Sequence, residues 1–164
     1  MMDLFRGLGW MVPVAVLLPN IVWAVLPAGA SPATPKPVPP HWVRWVEVVE
    51  WVGRMAVLVL PVFSQFRLGT AASVLAGEVM FLALAFYYTG WARYFTRGRT
   101  AVLLYKPLFG VPLPMAVSPA VYFLAASAPL RSVPLAVAAV VFGAAHVAVG
   151  RFEYESLWPR SRST

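Results

Sequence analysis

The sequence predicts an all-α fold: a polytopic membrane bundle of about five transmembrane helices, with spans kinked by proline, the amino terminus outside and the carboxyl terminus in the cytoplasm. Three observations carry this expectation. Hydrophobic residues make up 60% of the chain and charged residues 12%, against about 45–50% apolar and about 25% charged in soluble domains, and the mean hydropathy is +0.74. Apolar runs of about 20 residues, the length of one hydrocarbon crossing, can be drawn five times. The basic residues gather at the ends of those runs. At 164 residues the chain reads as a single membrane domain, 1–164, so any chemistry takes place in or at the bilayer.

The first span is expected at 8–27, interrupted by Pro13, Pro19 and Asn20, and a proline-rich linker covers 28–40. Ala28, Gly29 and Ala30 before Ser31 resemble a signal-peptide cleavage site, but an apolar stretch from 8 to 26 exceeds the usual h-region of about 7–15 residues. The segment is therefore read as a retained span. Further spans are expected at 42–66, 71–92, 107–129 and 133–150, followed by a tail over 151–164. With five crossings, Arg6, Arg67 and Arg131 fall on one side. Lys36, Arg93, Arg97, Arg99, Lys106, Arg151, Arg160 and Arg162 fall on the other, which the positive-inside rule makes cytoplasmic. Pro112, Pro114 and Pro119 with Gly110 mark the fourth span as kinked or broken, because each proline removes a backbone donor.

Ionisable residues inside these runs are the candidate functional residues, since a charge at bilayer depth costs about 2.5–3.5 kcal/mol or more. At 100° per residue Glu47, Glu50 and Arg54 form one polar stripe on the second helix, with Glu50 and Arg54 at ion-pair spacing. Trp42 and Trp45 lie opposite. The same stripe is compatible with an amphipathic start at the cytoplasmic interface. Glu78 stands about 12 Å into the third span at 1.5 Å per residue, on a face with Ala71, Ala85 and Thr89 that reads as a packing interior. His146 shares its face with Ala139, Gly143 and Gly150, which turns it into the bundle near the level of Glu50. Asn20 is suited to a carbonyl freed by Pro19. Tyr87, Tyr88, Trp91, Tyr94 and Phe95 read as an interfacial aromatic belt. Arg93, Arg97, Arg99 and Lys106 beyond it are candidate lipid-headgroup contacts.

Several classes are excluded. The formal charge of +7 lies at span ends, with no basic face bearing stacking aromatics outside the membrane runs, so nucleic acid is not an expected partner. Without cysteine there are no disulfides or thiolate metal sites. No phosphate-cradling glycine loop, nucleophile elbow or paired zinc ligands are present, and no metal or other cofactor is expected. No internal repeat of the transporter kind is evident.

Short pieces along the whole chain form a pattern: Leu18-Pro19-Asn20 with Trp23, Glu50 with Gly53-Arg54, Tyr88 with Trp91, Arg93-Tyr94-Phe95, Lys106-Pro107, Pro112-Leu113-Pro114-Met115, and Gly143 with His146. It resembles a family of small multi-spanning bacterial membrane proteins without an assigned function. The resemblance implies a multi-pass protein of the bacterial inner membrane. Glu78 has no counterpart in that pattern. Three functional readings remain open: a polar cavity of Asn20, Glu47, Glu50, Arg54, Glu78 and His146 that binds or passes a small polar or amphiphilic molecule or a proton; a non-catalytic subunit or assembly factor, alone as a homo-oligomer or in a larger membrane complex, suggested by the small-residue pairs Ser73 with Gly77 and Ala139 with Gly143; and a membrane-embedded enzyme acting on a lipid or isoprenoid.

Overall fold

The structure is a computed structural model and describes residues 7–26 and 38–157. The cleavage-like Ala28–Ser31 site, most of the proline-rich linker, Arg6, Lys36, Arg160 and Arg162 lie outside the described residues. Every regular element among those described is helical: α1 (Met11–Val25) entered through a 3-10 turn (Leu8–Trp10), α2 (His41–Val59) continued by a 3-10 turn (Leu60–Phe63), α3 (Ala71–Thr96), the short α4 (Val102–Tyr105), α5 (Pro114–Ala126) and α6 (Val133–Leu157). A lone β-bridge joins Leu108 and Val111.

Three helical segments, Leu8–Val25, Ala71–Thr96 and Val133–Leu157, are long and apolar enough to cross a membrane, which fits a membrane protein. The exterior agrees: Phe81, Leu82, Val133, Val137 and Val140 are exposed rather than buried, an outward apolar surface that lipid covers and water does not. The other two expected spans are different. Arg44, Glu47, Glu50 and Arg54 lower the hydropathy of α2. The expected 107–129 span becomes a turn followed by a helix of 13 residues, about 20 Å long at 1.5 Å per residue. Proline explains the break: Pro112 and Pro114 hold the preceding residues out of the helical region, Phe109, Gly110 and Leu113 take positive φ, and Pro114 sits in the first turn, where a missing donor is harmless. Two helices also run past the expected span ends, α3 to Thr96 and α6 to Leu157. Hydropathy marks where lipid ends, not where a helix does.

The helices pack in the order α2–α6–α5–α3, with α1 laid across α2, α3 and α5 through fewer contacts. Phe123, Ala126, Leu135, Ala139 and Phe142 form the centre of the core on α5 and α6. Glycine sets the spacing at two crossings. A Cβ on Gly53 would stand 3.0 Å from the Phe142 Cα, and one on Gly143 would stand 2.8 Å from the Ala120 Cβ. The Ala139–Gly143 seam is thus filled by α5 of the same chain.

Helix ends are capped locally. Thr70 accepts from the Ser73 amide at 3.2 Å and Ser73 Oγ accepts from the Thr70 amide at 3.1 Å, while Ser132 Oγ accepts from the Leu135 amide at 3.2 Å to start α6. At that end of the bundle the two loops are tied together, with the Arg67 amide donating to the Pro129 carbonyl at 2.8 Å.

Candidate functional site

The buried line of α2 is Val43, Glu50, Gly53 and Val57, and it faces α6. Glu50 therefore sits inside a helix seam although it is a carboxylate, and its residue is only 6% exposed. A buried carboxylate persists only with partners. Two are present: Arg54, one turn along α2, donates to Oε1 of Glu50, and His146 Nδ1 on α6 lies 2.8 Å from the same oxygen. The imidazole is fixed further by stacking on Phe142, with ring centroids 4.9 Å apart. Gly53 of α2 lies against the Phe142 backbone of α6, so the two helices come close enough for this contact.

These three side chains line a cleft of about 500 Å³ at the end of the bundle that carries α4. Asn20 and Trp23 close it from α1, Tyr87 and Trp91 from α3, Leu104 and Tyr105 from α4, and Met115 from α5. Its walls are mostly apolar and its polar groups are few, which is the usual make-up of a small-molecule site. Both hydrogen bonds on Glu50 end on Oε1. Arg54 uses one nitrogen on Glu50 and exposes 46% of its side chain. The Tyr105 phenol, outside the long helices, is pushed up to about 12 by burial and by the nearby Glu153 and Glu50 carboxylates, so it stays a hydrogen-bond donor at any physiological pH. Among the described residues no three His, Asp or Glu side chains converge as metal ligands.

No protein-family model matches the chain, and neither a curated protein nor a solved structure is significantly similar to it. Its site is therefore read from its own geometry.

Asn20, Glu50, Arg54 and His146 come together; Glu47 and Glu78 do not. Glu47 is exposed, since it lies roughly 75° from the buried line of α2 at 100° per residue. Glu78 is exposed on the outer side of α3 with Ala71, Ala85 and Thr89, in an apolar groove with Phe66, Leu68, Phe81 and Leu82. The expectation that this small-residue face packs inward is overturned: α3 instead buries Ser73, Met80, Tyr87, Gly90, Trp91 and Tyr94, with Tyr87 and Tyr94 reaching α1 and Met115 of α5 seated on Gly90. Tyr87, Trp91 and Tyr94, expected at the headgroups, thus form an inward aromatic wall, with edge-on ring contacts at 6.2 and 5.6 Å.

That wall also holds α1. Asn20 Nδ2 donates to the Tyr87 hydroxyl at 2.8 Å and to the Val16 carbonyl at 2.7 Å, and Trp23 Nε1 donates to the Tyr94 hydroxyl at 3.1 Å. The carbonyl freed by Pro19 is that of Ala15, four residues earlier. It is met by the Tyr88 hydroxyl at 2.8 Å, not by Asn20. Pro19 and a tyrosine on a distant helix were the available signals for this bond, but nothing in the sequence pairs them.

Arg93 is half-buried and donates to the carbonyls of Leu103, Lys106 and Pro107 at 2.6, 2.8 and 2.9 Å. It staples α4, and with it the Tyr105 wall, to α3. Of the other candidate headgroup contacts, Arg97 and Lys106 are exposed and Arg99 is half-buried in the turn after α3.

Proposed function

We propose that this chain is a multi-pass membrane protein whose cleft binds the polar head of a small amphiphilic molecule, its apolar part lying along the cleft wall. The observation that carries the reading is the Glu50 carboxylate, gripped by Arg54 and His146 at the wall of a cavity of about 500 Å³. Ionisable groups at membrane depth are expensive to keep, and a shared polar cavity gives them a use. Asn20, Trp23, Glu50, Arg54, Trp91, Met115 and His146, all part of the pattern that resembles the bacterial membrane family, line the same cleft.

In this reading α2 and α5 complete five crossings, the amino terminus is outside, the site opens toward the cytoplasm of a bacterial cell, and Arg97, Arg99 and Lys106 meet inner-leaflet headgroups. The chain lacks cysteine, so single cysteines at Ser64 and Arg97 report orientation cleanly through membrane-impermeant labelling. Labelling of both from the same side sinks the proposed topology.

Native mass spectrometry tests the binding itself. The wild-type chain carries one amphiphile-sized adduct after detergent release, and Leu104→Trp, which fills the cleft without touching Glu50, Arg54 or His146, abolishes it. An adduct that survives Leu104→Trp refutes binding in this cleft.

A second reading, a subunit that docks a partner helix, is favoured by exposed Glu78 in its apolar groove on α3. It predicts co-purification with a partner that Glu78→Leu weakens. Monodisperse purification of the chain alone counts against it.

A further inference from the structure

Hydrogen-bonding capacity left over in the cleft identifies the chemistry of what would fit there. On the donor side, Nε and Nη1 of Arg54 have no acceptor among the described residues, because the bond to Glu50 uses Nη2 alone. The Tyr87 hydroxyl accepts from Asn20, and its own proton has no described acceptor. The Tyr105 phenol makes no hydrogen bond with a described residue and remains protonated. Trp91 Nε1, beside the Tyr87 ring, finds no hydrogen bond of good geometry. Acceptors are fewer: Glu50 keeps Oε2 beyond the two bonds on Oε1, but its charge is already matched by Arg54. An ammonium group entering here meets the Arg54 charge before it meets a free carboxylate. The second carboxylate of the cleft, Glu153, stands seven residues beyond His146 on α6, about 10 Å along the helix at 1.5 Å per residue.

We propose that the amphiphile binds through an oxyanion, a carboxylate or a phosphate, seated on the open side of the Arg54 guanidinium, with the Tyr87 and Tyr105 hydroxyls donating to its remaining oxygens. The guanidinium fork matches both oxyanions geometrically. Glu50 and His146 act as positioning residues: they hold Arg54 from one side so that its other edge faces the cleft. The apolar part of the ligand lies against Leu104, Val149 and Met115, which line the same cavity. This inference rests on the reading of the cleft as a binding site and adds the class of ligand.

The test uses the full chain in a neutral maltoside detergent and four probes of equal chain length, each below its micellar concentration: dodecanoate, dodecyl phosphate, dodecanol and dodecyltrimethylammonium. Binding is followed by calorimetry. At least one oxyanion probe binds tenfold or more tighter than dodecanol, and the tighter of the two identifies the source as a fatty carboxylate or an alkyl phosphate. Arg54→Gln removes that advantage, so that in the variant the oxyanion probe binds no tighter than dodecanol. Tyr105→Phe, which keeps the Glu50–Arg54 pair intact, weakens the oxyanion probe at least threefold, so the inference stands on a second variant if Arg54→Gln does not fold. Equal binding of dodecanol, tighter binding of the ammonium probe, or oxyanion affinity untouched in a folded Arg54→Gln or in Tyr105→Phe overturns the oxyanion assignment while leaving a binding cleft. Absence of binding by all four probes overturns both.

Discussion

Tyr88→Phe tests whether α1 is held across the bundle by a hydrogen bond that repairs its own proline. The substitution removes one oxygen, the donor to the Ala15 carbonyl at 2.8 Å. It disturbs little packing, because Tyr88 is 38% exposed. Ala15 lies mid-way along an apolar helix, where no water replaces the lost donor. Side-chain hydrogen bonds in membrane bundles average about 0.6 kcal/mol and reach about 1.7, while an orphaned buried acceptor costs about 1–3 kcal/mol. The expected loss is therefore about 1–1.5 kcal/mol. Pro19→Ala supplies the missing backbone amide to the same carbonyl, so in that background Tyr88→Phe costs under about 0.5 kcal/mol, within the lower range for such bonds. Reversible unfolding of the purified chain in mixed micelles with rising SDS, followed by helicity, measures all four corners of the cycle. An equal loss from Tyr88→Phe in both backgrounds refutes the reasoning.

Two further predictions concern the cleft wall and the core. Tyr105→Phe removes tyrosinate absorbance that develops near pH 12, because burial and the Glu153 and Glu50 carboxylates raise the phenol above its ordinary 10. A raised phenol favours the neutral form in the fold, so its contribution to stability is complete below pH 10 and is lost between pH 10 and 12; a difference titration against wild type that peaks near pH 10 contradicts this. Gly143→Ala brings a methyl to 2.8 Å from the Ala120 Cβ and destabilises by about 1–2 kcal/mol from overpacking. Ala120→Gly in the same chain restores most of it, since the helix propensities exchanged are about equal, and the midpoint of the same SDS titration decides.

The local parts of this site were legible in the sequence and the distant ones only partly. Glu50 and Arg54 are one turn apart, so their pairing follows from helical geometry alone. His146 was traceable because small residues on its face force α6 close to another helix. Glu78 is not placed by its neighbours in this way: Ala71, Ala85 and Thr89 are as comfortable facing lipid as facing a helix, and the large aromatics that mark the inner face of α3 carry an equally good interfacial reading. Glu47 shows a finer limit. Its displacement around α2 is under a quarter turn, within the width of a stripe drawn from spacing, yet it separates a buried carboxylate from an exposed one. The Arg93 staple depends on three backbone carbonyls in a non-helical segment, and side-chain periodicity carries no information about those.

The sequence distance between the partners of Glu50 bears on biosynthesis. Arg54 follows it by four residues and His146 by 96, so as the chain is made from its amino terminus the arginine neutralises the carboxylate as soon as α2 has formed. The histidine arrives only with α6. A nascent chain halted before α6 thus already contains a charge-balanced α2, and the docking of α6 converts that provisional pair into a finished wall.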